Sequence, residues 1–347
     1  MNINKNLDID SKKETKSDED FLLPFEEEKK NSKIIIKNES KTNPDFGFDP
    51  NSISTEELLN KGIIIVDKPS GPTSHQTVDY LKRILKLEKA GHSGTLDPGV
   101  TGVLPIALQN ATRITHALLT AGKEYVCLMH LHRDVSDEKL SEVFIEFTGT
   151  INQLPPKKSA VKRQFRDRIV YYMKILEREN REVLFVVGCQ AGTYIRKLVH
   201  DIGIFLGCGA HMAELRRTKA GPFKEEMSVN LQEVADAFHY YKKGDDSKLR
   251  KMILPIEMGV SHLKKIYIHD ASVDTLCHGA TLKVPGISKL DSNIKRGEVV
   301  AVMTLKGELV LVGKALMDSG DLNAYDKGLA VHTEQVFMSP KIYSDKK

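Results

Sequence analysis

Residues 91–102 read GHSGTLDPGVTG, four glycines and one proline set around a single carboxylate, Asp97. Glycine reaches backbone conformations closed to other residues and lets a bulky ligand approach the chain. Pro98 stiffens the turn directly after the acid and removes a donor. Such a stretch forms a tight loop that can hold one carboxylate in a fixed, exposed place. A carboxylate held that way can act as nucleophile or general base. Asp-Pro-Gly is also common turn chemistry, so an Asx-turn is the plainer alternative for the tripeptide alone. Two other reactive loops fail on spacing. A serine-nucleophile elbow needs glycine where Thr95 stands, and no G-x-x-x-x-G-K-[ST] phosphate loop occurs.

The surrounding chain supplies elements that can carry this loop. Residues 62–67 read as a strand, and Ser74 as the cap of a helix with Val78, Leu81, Ile84 and Leu85 on its apolar face. Residues 125–130 and 182–189 read as strands. Ile195, Leu198, Val199 and Ile202 recur at helical spacing, and residues 231–241 form a further amphipathic helix between Asn230 and Gly244. Strands and helices mix without a regular βαβ repeat, so the fold class is α+β. From about residue 262 the texture changes to short strands with glycine turns. VVAVMTL, Lys306-Gly307 and ELVLVG read as a hairpin within a small β-barrel.

The expected organisation is a largely disordered or loosely docked tail over 1–45, a catalytic domain over 46–258, a barrel over 259–338 and a short tail over 339–347. The tail is polar, but it holds an apolar island, FLLPF, at residues 21–25 and an apolar triplet, Ile34-Ile35-Ile36, that reads as an edge strand. The first fifty residues carry nine lysines, twelve acids and no arginine, against a net charge of +4 for the whole chain. The body is therefore the basic part, which suits a polyanionic partner. No apolar run approaches the ~20 residues of a membrane helix. The four cysteines form no C-x-x-C pair and read as buried free thiols.

Six ordered motifs carry a resemblance. GHSGTLDPGVTGVLPIALQNATRI resembles the signature of the TruB family of RNA pseudouridine synthases. IIIVDKPSGPTSHQ, AGKEYVCLMHLH and GCQAGTYIRKLVHDIG are similar to its other active-site motifs. PPKKSAVKRQFRDR and HMAELRRTKAGPF are similar to stretches of the archaeal and eukaryotic, dyskerin-like branch. The resemblance implies a pseudouridine synthase catalytic domain with a mixed β-sheet core, followed by a PUA domain matched by HGATLKVPGI and the hairpin from Glu298 to Leu316. It implies that Asp97 attacks or deprotonates a target uridine, whose base detaches, rotates and rejoins through carbon. The first chemical step stays open. No cofactor and no metal are implied.

The target base must leave the RNA stack to be reached. Under this resemblance Tyr125 stacks on it, and Arg196 pairs with Asp97 and favours its charged form. Lys68, His75, His92 and Leu198 belong with substrate binding: Lys68 at the pocket wall, His75 filling the gap left by the flipped base, and His92 positioning the loop. RNA contacts are expected from the basic run that starts at Lys157-Lys158 and holds Lys162, Arg163, Arg166 and Arg168. Further contacts are expected from Arg216, Arg217 and Lys219, and from His278 and Gly279 in the barrel. The expected assembly is a box H/ACA ribonucleoprotein. Its guide RNA selects rRNA uridines, with a Nop-type zinc-ribbon protein, a Gar-type barrel protein and a kink-turn-binding ribosomal-type protein as partners. A tRNA T-loop uridine is a guide-independent alternative, and an idle RNA scaffold a further one. No Lys-rich tail follows Lys347, so the expected location is cytoplasmic, as for archaeal relatives.

Overall fold

The structure, a computed structural model, describes residues 21–156 and 162–344. Pro24–Asn31 forms α1, with Glu26 and Glu27 in its first turn and Lys29 and Lys30 in its last, charges that complement the helix dipole. Ile34–Ile36 forms β1, the edge strand read from the sequence, and pairs antiparallel with residues 289–291. The loosely docked tail expected over 1–45 is firmly placed from residue 21 onward, whereas residues 1–20 lie outside those described. The apolar island explains the difference. Leu23 is completely buried and lies against Gly122. Lys219 donates to the Phe21 carbonyl at 2.8 Å and pairs with Glu26 and Glu124. Further on, Asp270 accepts from Thr42 Oγ1 and the Asn43 amide.

Thr55–Lys61 (α2) leads into Gly62–Lys68 (β2), whose apolar run is buried on both faces. Ser74–Leu85 (α3) buries Val78, Leu81 and Leu85 as its spacing requires. Its cap is Thr73 rather than Ser74: Thr73 Oγ1 accepts from the Gln76 amide, and Gln76 accepts from the Thr73 amide. Ser74 is thereby freed for another task. The glycine-rich loop runs from Ala90–His92 (β3) to Thr101–Leu108 (β4). Then follow Thr115–Leu119 (α4), Lys123–Leu131 (β5), Asp137–Glu146 (α5), Gly149–Gln153 (β6), Arg166–Glu179 (β7) and Glu182–Cys189 (β8). Ile195–Phe205 (α6), Ala210–Ala220 (β9), Phe223–Lys224 (β10), Leu231–Tyr241 (α7), Ser247–Met252 (α8) and Ile253–Pro255 (β11) complete this part. Asn230 caps α7 as expected, with Glu233 reciprocating.

These strands form one mixed sheet in the order β11-β2-β4-β9-β5-β8-β7-β6, with β3 on β4 and β10 on β9. β4 and β9 are parallel, while β9 and β5 are antiparallel. The register sets Gly102 of β4 beside Arg217 of β9, and Arg217 beside Tyr125 of β5. Three segments far apart in sequence thus meet in one row.

The C-terminal part contains Lys264–Ile268 (β12), Asp270–Cys277 (α9), Leu282–Lys283 (β13), Ile287–Asp291 (β14), Val299–Met303 (β15), Leu309–Ala315 (β16), Ser319–Ala324 (α10) and Leu329–Val336 (β17). β15 and β16 form the expected hairpin, with Gly307 in the left-handed region at φ +90°. The strand order is β1-β14-β12-β15-β16-β17-β13, around one apolar core that includes Ile266, Leu290, Val302 and Val310. A separate core joins the two sheets, with Ile63, Ile65 and Val103 packed together with Ala301, Met303 and Leu309. All four cysteines are free and buried.

Leu23 gives a direct test of the docked N-terminal segment. Leu23→Ala should cost about 2–5 kcal/mol, the range for emptying a fully buried leucine site, read as a lowered midpoint in chemical denaturation. A loosely held segment would show almost no change.

Candidate active site

Asp97 stands at the tip of a loop whose flanks are buried and whose crown is open. Leu96 and Val100 are each 4% exposed, whereas Asp97, Pro98 and Gly99 face solvent. The anchors on either side are apolar, so hydrophobic burial pulls the flanks down and leaves the acid proud.

Buried polar groups then fix the loop backbone. Ser74 Oγ accepts from the Leu96 amide at 2.8 Å and donates to the Leu96 carbonyl at 3.1 Å. Lys68 is fully buried, and its Nζ donates to the carbonyls of Pro69, Pro98 and Val100 at 2.8, 3.1 and 2.9 Å. Arg217 is 1% exposed and donates to the carbonyls of Val103 at 2.7 Å and Gly94 at 3.3 Å. Gly102 takes φ +102°, and a Cβ there would lie 2.2 Å from the Arg217 carbonyl oxygen. Only glycine permits that approach. Burial lowers the Lys68 pKa, helped by the charge of Arg217 and opposed by that of Asp97.

Arg196, in the first turn of α6, donates from a terminal guanidinium nitrogen to Asp97 Oδ2 at 2.7 Å. The two segments come from positions 99 apart in sequence. Their side chains are 63% and 55% exposed, so water screens the attraction and the pair stabilises the fold by no more than about 1 kcal/mol. Its value is direction: the carboxylate is aimed by a cation that solvent and substrate can both reach. Tyr125 lies at the start of β5, and burial raises its phenol pKa. The charge and hydrogen bond of Arg217 oppose that rise, while the charge of Asp97 adds to it. The tyrosine therefore presents a protonated hydroxyl and a ring within the field of the acid. His92 packs edge-on against His75, ring centroids 4.9 Å apart. Burial, His75 and Arg217 lower the His92 pKa to about 4, so the imidazole is neutral at neutral pH.

The expected site residues fall into three groups. Asp97, Tyr125, Arg196, His75 and His92 converge on the loop. Lys68 and Arg217 also converge there, but as buried supports. Arg217 is thus corrected from a phosphate contact to an internal donor, because β4 and β5 flank it and the loop covers it. Lys68 supports the pocket from behind and does not face it. Leu198 is fully buried in the apolar cluster against which Tyr125 packs, so it backs the site and does not touch solvent. Lys219 is corrected as well, being committed to the N-terminal segment. Arg216 is largely spent on a two-pronged bond to Asp67 and a pairing with Glu225.

Lys162 and Arg163 are exposed, and Arg166 and Arg168 are half-buried at the start of β7. Arg168 lies near Gly192, just before α6, so this basic strip approaches the element that carries Arg196. Lys157 and Lys158 lie outside the described residues. His278 and Gly279 sit on the surface at the end of α9, with open space beside Gly279. Ser74 escaped sequence reasoning as a loop anchor. Its signal was the Thr73-x-x-Gln76 box, which already supplies the cap.

Ser74→Ala should remove both loop hydrogen bonds and destabilise the protein by about 1–3 kcal/mol. Turnover should fall while RNA binding persists; an unchanged rate would deny the anchoring role. For His92 the sign follows from its depressed folded pKa. The folded state binds fewer protons than the unfolded one, so stability is lost as pH falls from 6.5 through about 4. His92→Gln should flatten that acid limb in unfolding experiments across the same window.

Family models match consecutive parts of the chain. The DKCLD (NUC011) domain matches residues 24–78. The N-terminal domain of TruB family pseudouridylate synthases matches 82–195, the C-terminal domain of tRNA pseudouridylate synthase B matches 196–261, and the PUA domain matches 264–337. A probable tRNA pseudouridine synthase B of Pyrococcus horikoshii is 56% identical over 308 residues, covering 88% of this chain and 92% of the relative. One from Nanoarchaeum equitans is 53% identical over 322 residues, covering 92% of each. Among solved structures, a Cbf5-Nop10-Gar1 complex superposes with a TM-score of 0.87 at 54% identity, covering 90% of this chain and 96% of that one. An H/ACA ribonucleoprotein bound to a substrate RNA containing 2'-deoxyuridine superposes at 0.85 with 52% identity and the same coverage. An ordered set of domain matches, near-complete coverage and a loop that presents one acid beside one arginine agree: this chain belongs to the TruB family of pseudouridylate synthases.

Proposed function

We propose that this chain is the catalytic subunit of a box H/ACA ribonucleoprotein and converts selected uridines in RNA to pseudouridine. The observation that carries this reading is the Asp97–Arg196 pair on its rigid, solvent-open loop. The reaction is an isomerisation. The bond from the ribose to N1 of the base breaks, a bond from the same ribose carbon to C5 forms, and the proton on C5 is exchanged for one on N1. No oxidant or reductant enters the balance. Asp97 supplies the single nucleophile or base, acting on the ribose or the base of a nucleoside swung out of the stack. Tyr125 offers a ring to the detached base while it turns. The loop is already fixed before RNA arrives, so little ordering is left for the reaction itself to supply.

The strip Lys162, Arg163, Arg166 and Arg168 meets substrate phosphates, and the C-terminal domain, through the surface at His278 and Gly279, meets the guide RNA. Relatives solved as complexes with Nop10, Gar1 and RNA support protein partners of those kinds. A kink-turn-binding ribosomal-type protein on the guide RNA completes the proposed assembly. The relatives named as tRNA enzymes favour a second activity, on a tRNA uridine without a guide.

Asp97→Asn keeps size and hydrogen bonding while removing the charge. Turnover should fall at least about 10²-fold, the lower bound for losing a positioned acid or base, with RNA binding retained. The assay uses a guide-selected rRNA fragment and a tRNA, each with and without the protein partners. Ready product from Asp97→Asn would refute the role of Asp97, and product from neither RNA with the wild-type protein would refute the substrate assignment.

A further inference from the structure

One buried carboxylate has no part in the chemistry proposed for Asp97. Glu124 is 7% exposed and directly precedes Tyr125 on β5. Cross-strand pairing sets Glu124 against Lys219 of β9 but Tyr125 against Arg217, so β9 spends one extra residue, Thr218, at that step. An extra residue on one strand of an antiparallel pair is a β-bulge, which bends the strand and re-aims the side chains beside it. We propose that Glu124 is a positioning residue for Tyr125: its carboxylate holds the Thr218 bulge, and the bulge sets the tyrosine beside Arg217.

Both oxygens of the carboxylate are engaged, as its removal from water requires. Glu124 Oε1 accepts from Thr218 Oγ1 at 2.7 Å. Oε2 accepts from the Tyr172 hydroxyl at 2.5 Å and lies 3.2 Å from Lys219 Nζ. The row behind these contacts crosses four strands. Tyr172 of β7 pairs with Gly188 of β8, Gly188 with Glu124 of β5, and Glu124 with Lys219 of β9. Tyr172 reaches Glu124 by laying its ring across Gly188, where a Cβ would stand 2.3 Å from the ring. Only glycine leaves that path open. Lys219 carries the row on to the Phe21 carbonyl and Glu26, so the docked N-terminal segment closes it.

A slip of one residue sends a strand's side chains to the opposite face. Without the bulge, Tyr125 would stand opposite Thr218, and Arg217 would move on to Val126 and the other face. With it, Tyr125 and Arg217 share a face and a hydrogen bond. Arg217 in turn donates to the carbonyls of Val103 and Gly94 beside the acid. The Thr218 hydroxyl, held by Glu124, therefore fixes where the tyrosine stands relative to the Asp97 loop. This inference rests on the role proposed above for Tyr125 at the detached base.

Thr218→Val keeps the branched shape and removes the hydroxyl, Thr218→Ser restores the hydroxyl, and Tyr172→Phe removes the second donor to Glu124. Single-turnover rate and RNA affinity are measured on the full-length protein with guide RNA, protein partners and a guide-selected rRNA fragment. A misplacement of about 1 Å can cost 10²-fold, so Thr218→Val should lose about 10- to 100-fold in rate with affinity within about twofold of wild type. Tyr172→Phe should lose rate in the same sense, and Thr218→Ser should recover most of it. Fluorine NMR of protein carrying 3-fluorotyrosine reads the placement without turnover. The Tyr125 signal, assigned by its loss in Tyr125→Phe, should move in Thr218→Val and return in Thr218→Ser. An unchanged rate or an unmoved signal in Thr218→Val, or equal losses in the valine and serine variants, would overturn the proposal. Tyr125→Ala separates the two readings. If it keeps turnover, the role of Tyr125 falls and this inference with it; if it abolishes turnover while Thr218→Val does not slow, only this inference falls.

Discussion

The site depends on two cations buried beneath a turn. Lys68 and Arg217 between them take up five backbone carbonyls in and around the Asp97 loop. A tight turn rich in glycine and proline leaves carbonyls that no helix or sheet partner satisfies, and burying such groups unpaired is costly. Placing charged donors under the turn removes that cost and fixes the backbone. The charges in turn need compensation in a dry place. Part of it comes from Asp97, whose field opposes the lowering of the Lys68 pKa. Asp97 and the buried Lys68 are therefore electrostatically linked across the loop.

That arrangement divides the labour among the positive residues. The buried pair shapes the loop, while the exposed Arg196 aims the carboxylate. An exposed pair adds little stability, so this contact can open at small cost. The same economy holds elsewhere. Lys219 fastens the N-terminal segment, and Arg216 fastens β9 to Asp67.

The N-terminal segment ties the molecule together. It crosses from the large sheet, where Leu23 is buried, to the edge of the C-terminal sheet, where β1 adds a strand. With the apolar core shared by Ile63, Val103, Ala301 and Met303, it sets the two parts against each other over a broad contact.

The sequence by itself determined the local pieces. Glycine and proline around Asp97 required a tight loop. Period-3.6 patterns placed α3, α6 and α7, and buried or alternating runs placed β2, β8 and the β15–β16 hairpin. Motif resemblance singled out Asp97, Tyr125 and Arg196. Whether a given cation is inside or outside was decided only by the tertiary structure. Arg216, Arg217 and Lys219 look alike as a basic run, yet the register of β9 between β4 and β5 buries Arg217 and turns it into a donor for the loop. Lys68 followed the same course, because two of the carbonyls it meets, those of Pro98 and Val100, lie 30 and 32 residues away. Local pattern records what a residue can do, and only the long-range pairing of strands fixes what it meets.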